Sequence, residues 1–174
     1  WWEGEDLGRP AMILTAPRDG ARWEELPVAP TLWDHWTNPD YVVPRTDQAV
    51  RNTAFFAEAC PQAWVNLGPV SMAGFLGTGI HVAPDTVWQS PIVDDWTTYR
   101  PVFDPDNEWW RIAVRLTEAL VEAADGKWFV SCADVGDPGD VMSYLRGPER
   151  LCLDLIDGPR EEIIRVRDQL TDVL

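Results

Sequence analysis

The stretch from Asp104 to Cys132, DPDNEWWRIAVRLTEALVEAADGKWFVSC, decides the fold class. Its first residues predict the start of a helix, because Asp104 can cap the backbone and Pro105 suits a first helical turn. Apolar residues then recur at helical spacing until Gly126 ends the helix: Trp109, Ile112, Ala113, Leu116, Leu120 and Ala123. Lys127 to Cys132 follows as a short apolar strand. A helix that leads into a buried strand is typical of an α/β protein.

Two more strands and several helices can be placed around this unit. Ala11 to Thr15 and Ala63 to Leu67 are short apolar runs bounded by turn residues, which predicts buried strands. Helices are predicted at residues 32–36, 47–60, 71–76, 104–126, 139–146 and 149–156, with a last helix from Asp157 onward. Residues 68–105 contain a long insertion, in which residues 86–88 and 91–93 are expected to be extended. Short apolar strands separated by helices favour a parallel sheet covered on both faces.

Three strands cannot close a barrel, and a complete (β/α)8 barrel takes ~250 residues. We therefore expect residues 1–174 to form a single incomplete domain, the amino-terminal half of a TIM (β/α)8 barrel. It would contain the first three strand–helix units, with the insertion after the second strand. Such a piece should expose apolar side chains on one sheet edge and on the last helix, at Ile163, Val166 and Leu170. We expect it to be inactive alone.

Composition excludes several classes of protein. The 29 acidic and 14 basic residues give a net charge of −15, and such a surface repels the phosphates of nucleic acids. Cys60, Cys132 and Cys152 are widely spaced, which disfavours a disulfide framework or a structural zinc site and favours a reducing compartment. No apolar run reaches the length of a membrane span. These observations predict a cytoplasmic protein with no membrane and no nucleic-acid partner.

Two stretches contain motifs in a distinctive order. From Trp2 to Arg18, Trp-Glu-Gly-Glu-Asp-Leu-Gly-Arg-Pro leads into an apolar strand and then Ala-Pro-Arg. From Phe129 to Glu161, a strand and a small-residue loop are followed by a helix, Gly147, a leucine-rich turn and Asp-Gly-Pro-Arg-Glu. Both stretches resemble the uroporphyrinogen decarboxylase family and its relatives, the methyltransferases that act on corrinoid proteins. The resemblance does not extend to residues 68–105.

The resemblance implies a parent enzyme that is a decarboxylase (a lyase) or a corrinoid-linked methyltransferase, acting on a small carboxylated or methylated substrate. A zinc ion and a corrinoid partner would belong to the second half of such a parent, so no cofactor or metal ligand is assigned in this segment. The decarboxylases grip substrate carboxylates with an Arg-Gln-Ala-Gly-Arg loop. Here the loop from Arg18 to Arg22 keeps only the spacing of the two arginines, which indicates a divergent relative.

Arg18, Arg22 and Asp134 are candidate site residues because they follow strands. Active sites of barrels gather at the carboxyl ends of strands, where a guanidinium can hold a carboxylate or phosphate. Arg18 can equally pair with acids on a solvated loop, and for Arg22 we favour that structural alternative. Asp134 is the candidate catalytic residue, as a general base or as a group that orients substrate. Asp137 or, as we favour, Asp140 caps the helix that follows.

Asn66, Asp85 and Trp88 complete the predicted substrate-binding set. Asn66 ends the second strand, where it can donate to a ligand or tie down its own loop. Asp85 and Trp88 lie in the insertion, which is expected to form a lid over the rim. Because successive parallel strands end at one edge, we expect Arg18, Asn66 and Asp134 to face one concavity.

Two alternative functions come from the eleven tryptophans. A carbohydrate-active barrel would need two carboxylates across a glycosidic bond, and no such pair can be assigned. A binding module without catalysis would use the Trp-rich segment from Trp88 to Trp110. Alternatively, the indoles only pack under long loops, with their N–H groups paired. His35 and His81 are expected to be structural, and Cys132 to be buried.

Overall fold

The structure, a computed structural model, describes Gly4, Asp6 and residues 8–173. Thirteen elements follow one another in this part of the chain. The strands are β1 (Ile13–Pro17), β2 (Thr53–Ala57), β3 (Gln62–Trp64), β4 (Gly79–Val82), β5 (Val87–Ser90) and β6 (Phe129–Ser131). The helices are α1 (Leu32–Thr37), α2 (Pro39–Asn52), α3 (Ser71–Phe75), α4 (Glu108–Ala124), α5 (Pro138–Arg146), α6 (Pro148–Asp157) and α7 (Arg160–Val173).

The centre of the fold is the parallel pair β3–β6 with α4 before β6 in the chain. Ala63 lies opposite Val130 in the register, and the Val65 N–H donates to the Ser131 carbonyl at 3.3 Å. The predicted helix is confirmed: its stripe from Trp109 to Leu120 is buried. Its cap is Asn107, whose side chain accepts from the Trp110 N–H, and not the predicted Asp104. The mixed α/β class is therefore confirmed.

The first predicted strand is not part of this parallel sheet. β1 is exposed along its whole length and pairs antiparallel with β2, with Ile13 opposite Ala57. The helix predicted over residues 47–60 instead starts at Pro39 and ends at Asn52, because residues 53–57 are drawn into this ladder. Just after β2, the Glu58 carboxylate accepts hydrogen bonds from the Arg9 guanidinium and from the Met12 N–H. These contacts lower the pKa of Glu58 to about 2.

The insertion forms an antiparallel hairpin, β4–β5: the extended piece predicted at residues 86–88 largely coincides with β5, whereas residues 91–93 form no strand. Gln89, which is buried, fixes this hairpin to the centre of the fold. Its side-chain amide donates to the carbonyls of Pro69 and Val70, at 3.2 and 3.0 Å, and its oxygen accepts from the Thr78 hydroxyl at 2.5 Å. The hairpin is thereby held against the turn that follows β3.

The last three helices pack on one another, and α5 and α6 cover the side of α7 that we expected to be exposed. Ile163, Val166 and Leu170 are buried, so the prediction of an apolar outer face on the last helix is wrong. The sheet does expose apolar side chains, with Phe129 70% and Trp64 48% accessible. Asp137 caps α5, contrary to our choice of Asp140, because its carboxylate accepts from the Gly139 and Asp140 N–H groups.

Candidate functional site

A cleft of about 260 Å³ opens beside the carboxyl end of β3. We call it the Arg45 cleft. Its floor consists of buried side chains from the core: Trp36, Val65, Leu116 and Leu120. Its walls carry the groups that can contact a ligand: His35, Tyr41, Arg45, Thr46, Trp64 and Asn66. The cleft therefore joins α1, α2 and the end of a parallel strand, the position where ligands bind in open α/β sheets.

The first two helices place a row of three side chains along one wall. Asn38 ends α1 and caps α2, so the two helices follow each other without a loop. Tyr41 and Arg45 lie one turn apart on α2 and therefore share a face. The Arg45 guanidinium carbon lies 3.5 Å from the centroid of the Tyr41 ring, and the His35 ring lies 5.0 Å from that ring, centroid to centroid. Imidazole, phenol and guanidinium thus lie side by side.

Arg45 is the positive charge of this cleft. Among the described residues it has no acidic partner, whereas eight of the 14 basic residues form ion pairs: Arg9, Arg51, Arg111, Lys127, Arg146, Arg150, Arg165 and Arg167. Its guanidinium donates only to the carbonyls of Tyr41 and Pro27, at 3.1 and 2.6 Å. A guanidinium has five N–H donors, so some remain for an anionic ligand.

Asn66 and Trp64 form the opposite wall. The Asn66 side-chain oxygen accepts from the Gly68 N–H at 3.1 Å, so the residue ties down its own loop. This was the second of the two roles that the sequence predicted for Asn66. That bond fixes the side chain and leaves its NH2 group, a pair of donors, without a partner in the described part of the chain. Trp64 is half-exposed and supplies a flat apolar surface.

Asp134, the predicted catalytic residue, does not line the Arg45 cleft. Its carboxylate accepts from the Gly136 N–H at 3.0 Å, and its carbonyl accepts from the Ser71 N–H at 2.6 Å. Both contacts order the turn after β6. Burial raises the pKa of Tyr144, and the negative charges of Asp140 and Asp134 add to that rise, which places Asp134 near Tyr144.

Trp88 lies beside Tyr144, at a different cleft from the Arg45 cleft. It stacks on His81, with 5.6 Å between ring centroids, and both Trp88 and Tyr144 line a cleft of about 320 Å³. Asp85 is exposed in the turn between β4 and β5. The insertion therefore reaches α5 and not the Arg45 cleft.

Arg18 and Arg22 follow β1 and contact the end of α2 and the start of β2. Arg18 donates to the Thr53 carbonyl at 3.1 Å, and the backbone of Arg22 exchanges hydrogen bonds with the Asn52 side chain. Arg18, Asn66 and Asp134 do not share the expected concavity. The strand before Arg18, β1, lies outside the parallel pair, and of these three residues only Asn66 lines the Arg45 cleft.

Sequence reasoning missed His35, Tyr41 and Arg45. His35 was assigned a structural role because no second ligand stood at a suitable spacing, yet it lines the cleft. The available signal was the helical spacing of Tyr41 and Arg45 just after it. Cys132 was expected to be buried, and it is exposed beside an apolar cleft of about 300 Å³ that includes Phe75 and Trp110.

The chain matches no family model, no curated protein and no solved structure. Within the described residues, no three His, Cys, Asp or Glu side chains come together as a metal site would require. No helix in that part of the chain is both long enough and apolar enough to cross a membrane.

Proposed function

We propose that this chain belongs to a cytoplasmic enzyme and binds a small carboxylated molecule in the Arg45 cleft. The observation that carries the proposal is a partly buried arginine that has no acidic partner among the described residues of a strongly acidic protein. A guanidinium that stays free among so many carboxylates is available to a ligand. Its planar fork matches a carboxylate, and charge-assisted hydrogen bonds of this kind are stronger than neutral ones.

The other walls of the cleft suit the rest of such a ligand. Trp64 and Tyr41 offer flat surfaces for an unsaturated or apolar body, and the Asn66 amide offers donors to a second acidic group. The many carboxylates elsewhere on the surface repel anions, so binding in this cleft depends on the local positive charge of Arg45. The ligand is therefore a compact molecule with at least one carboxylate next to an apolar body.

Decarboxylation is the reaction that fits this ligand best. The bond between the carboxylate and its carbon breaks, CO2 leaves, and the carbon keeps the electron pair and takes up a proton. His35 lines the cleft and is the group that can deliver that proton from its imidazolium form. Arg45 would hold a second, unreacting carboxylate and orient the substrate.

The parent we propose is a divergent uroporphyrinogen decarboxylase-like enzyme with a TIM (β/α)8 barrel, of which this chain would form the first part. The parallel pair β3–β6, joined through α4, supports that proposal as one strand–helix–strand unit of such a barrel. The antiparallel pair of β1 and β2 would be an addition outside the barrel. Methyl transfer is the alternative reaction, and it would use a zinc ion and a corrinoid partner carried by the rest of the parent.

Replacing Arg45 with alanine is expected to weaken carboxylate binding about ten- to a hundred-fold, because one charge-assisted contact contributes roughly 1.5–3 kcal/mol. Malonate, succinate and phthalate are titrated into the protein, and binding is measured by isothermal calorimetry. Arg45→Lys should recover only part of the affinity, since an ammonium lacks the planar fork.

Arg100→Ala is the matched control, because Arg100 also donates only to backbone carbonyls but lies outside the cleft. Its affinities should equal those of the unmodified protein. Equal affinity in Arg45→Ala, or no binding of any of the three acids, would remove the cleft from consideration as an anion site.

A further inference from the structure

A second cleft, of about 320 Å³, lies at the amino-terminal end of α4 and is separate from the Arg45 cleft. We call it the Trp109 cleft. It is lined by residues of α1, α3, β4 and α4 and of the turns between them: Trp33, Gly74, Gly77, Thr78, Ile80, Asn107, Glu108 and Trp109. Pockets of this size lie at the lower end of those that hold small molecules.

Trp109 carries an unpaired hydrogen-bond donor inside the protein. The residue is only 3% exposed, and its indole N–H has no acceptor in the described part of the chain. The other buried indoles are paired: Trp36 with the Ala83 carbonyl, Trp96 with Asp154 and Trp128 with the Leu120 carbonyl. Buried donors are nearly always satisfied, so an unpaired one requires an explanation.

Gly74 brings this donor to the wall of the cleft. A Cβ atom at Gly74 would lie 3.1 Å from the indole nitrogen of Trp109 and 3.0 Å from the Cδ1 atom of Ile80. Gly74, Ile80 and Trp109 all line the cleft, so the indole that carries this N–H forms part of its wall. Only glycine leaves the indole room in this position.

The remaining polar groups of the cleft are largely engaged. The Asn107 amide donates to the Gly74 carbonyl, its oxygen accepts from the Trp110 N–H, and the Thr78 hydroxyl donates to Gln89. Glu108 is exposed, and its carboxylate makes no hydrogen bond within the described residues. The cleft thus offers one buried donor, one exposed acceptor and two indoles, Trp33 and Trp109, whose centroids lie 5.5 Å apart.

We propose that the Trp109 cleft binds a neutral sugar ring, free or at the end of a glycan. Hydroxyl groups both accept and donate, so one can accept from the Trp109 N–H while another donates to Glu108. The C–H face of the ring packs on the indoles, which offer large apolar surfaces. An anion would be repelled by Glu108, and a cation has no lone pair to accept from the Trp109 N–H, whereas a hydroxyl-bearing ring can use both groups. The proposal is independent of the Arg45 cleft.

The test follows the indole N–H signals of the 15N-labelled protein by NMR during titration with glucose, galactose, mannose and N-acetylglucosamine. For a small open cleft we expect a dissociation constant of ~1 mM, so titration to roughly 20 mM approaches saturation. At least one sugar should move the Trp109 signal downfield as its N–H gains an acceptor. The signals of Trp36, Trp96 and Trp128, already paired, should stay in place.

Glu108→Gln should weaken the binding of that sugar about ten-fold, since an acceptor loses its charge. Glu122→Gln, on the same helix but outside the cleft, should bind as the unmodified protein does. The proposal is overturned if no sugar moves the Trp109 signal, if all four indole signals move together, or if Glu108→Gln binds with unchanged affinity.

Discussion

Gly68→Ala is expected to lower the free energy of unfolding by about 2–5 kcal/mol, from two added costs. Gly68 has a φ of +80°, a conformation that L-residues with a Cβ rarely adopt. A Cβ atom would also lie 2.6 Å from the Cβ atom of Val87, a fully buried residue of β5. The turn after β3 and the hairpin of β4 and β5 would have to separate.

Gly126→Ala separates the two costs, because Gly126 has a φ of +74° but nothing within 4 Å of the added atom. It should lose only about 1–2 kcal/mol, the backbone part. Chemical denaturation of both variants measures the difference. If both variants lose the same free energy of unfolding, the contact between the added Cβ atom and Val87 contributes nothing to the cost. Gly68→Ala should also weaken carboxylate binding, because the Gly68 N–H fixes Asn66 in the Arg45 cleft.

The central helix and the strand after it could be predicted because several signals coincide there. The apolar residues of α4 recur over about four turns, Gly126 ends the pattern, and a short apolar run follows. All these features are local. The burial of the stripe from Trp109 to Leu120 therefore follows from the sequence with little reference to the rest of the chain.

The antiparallel pair of β1 and β2 could not be predicted in the same way. Ala11 to Thr15 is as apolar as a core strand, yet Ile13 is 81% exposed and Leu14 49% exposed. An apolar run indicates that a strand can form, but not which strand pairs with it or what covers it. Its partner β2 begins at the residue after α2, so the helical pattern concealed it.

The Arg45 cleft was predicted only in part, for a related reason. Asn66 was found because a polar residue at the end of an apolar strand is a local signal. Whether an arginine is free depends on where 29 acidic side chains lie in space, and no spacing in the sequence carries that information. Arg18, like Arg45, has no acidic partner among the described residues, but the strand before it belongs to another sheet.

Asp154→Asn is expected to cost about 2–4 kcal/mol of stability, because it breaks a largely buried ion pair and leaves its partners unsatisfied. Asp154 and Arg146 are only 17% and 15% exposed at their side chains. One Asp154 oxygen accepts from the Arg146 guanidinium and from the Trp96 indole N–H, both at 2.7 Å. Arg146 also donates to the carbonyls of Val93 and Asp94, so the pair ties α5 and α6 to the loop before Trp96.

The same pair predicts a pH dependence with a definite sign. The hydrogen bond from Arg146 is the main cause that lowers the pKa of Asp154 from its ordinary value of 3.8. A carboxylate with a lowered pKa stabilises the folded state above that ordinary value and loses its contribution as the pH falls through the folded-state value. The difference in free energy of unfolding between the unmodified protein and Asp154→Asn should therefore be full at neutral pH and shrink below about pH 4.

Asp168→Asn is the control: it removes an exposed pair with Arg167 and should cost at most about 0.5 kcal/mol. Urea denaturation across this pH range measures both variants. A gap that is small at neutral pH, or that stays constant down to the acid limit, would mean that the Arg146–Asp154 pair does not hold the loop.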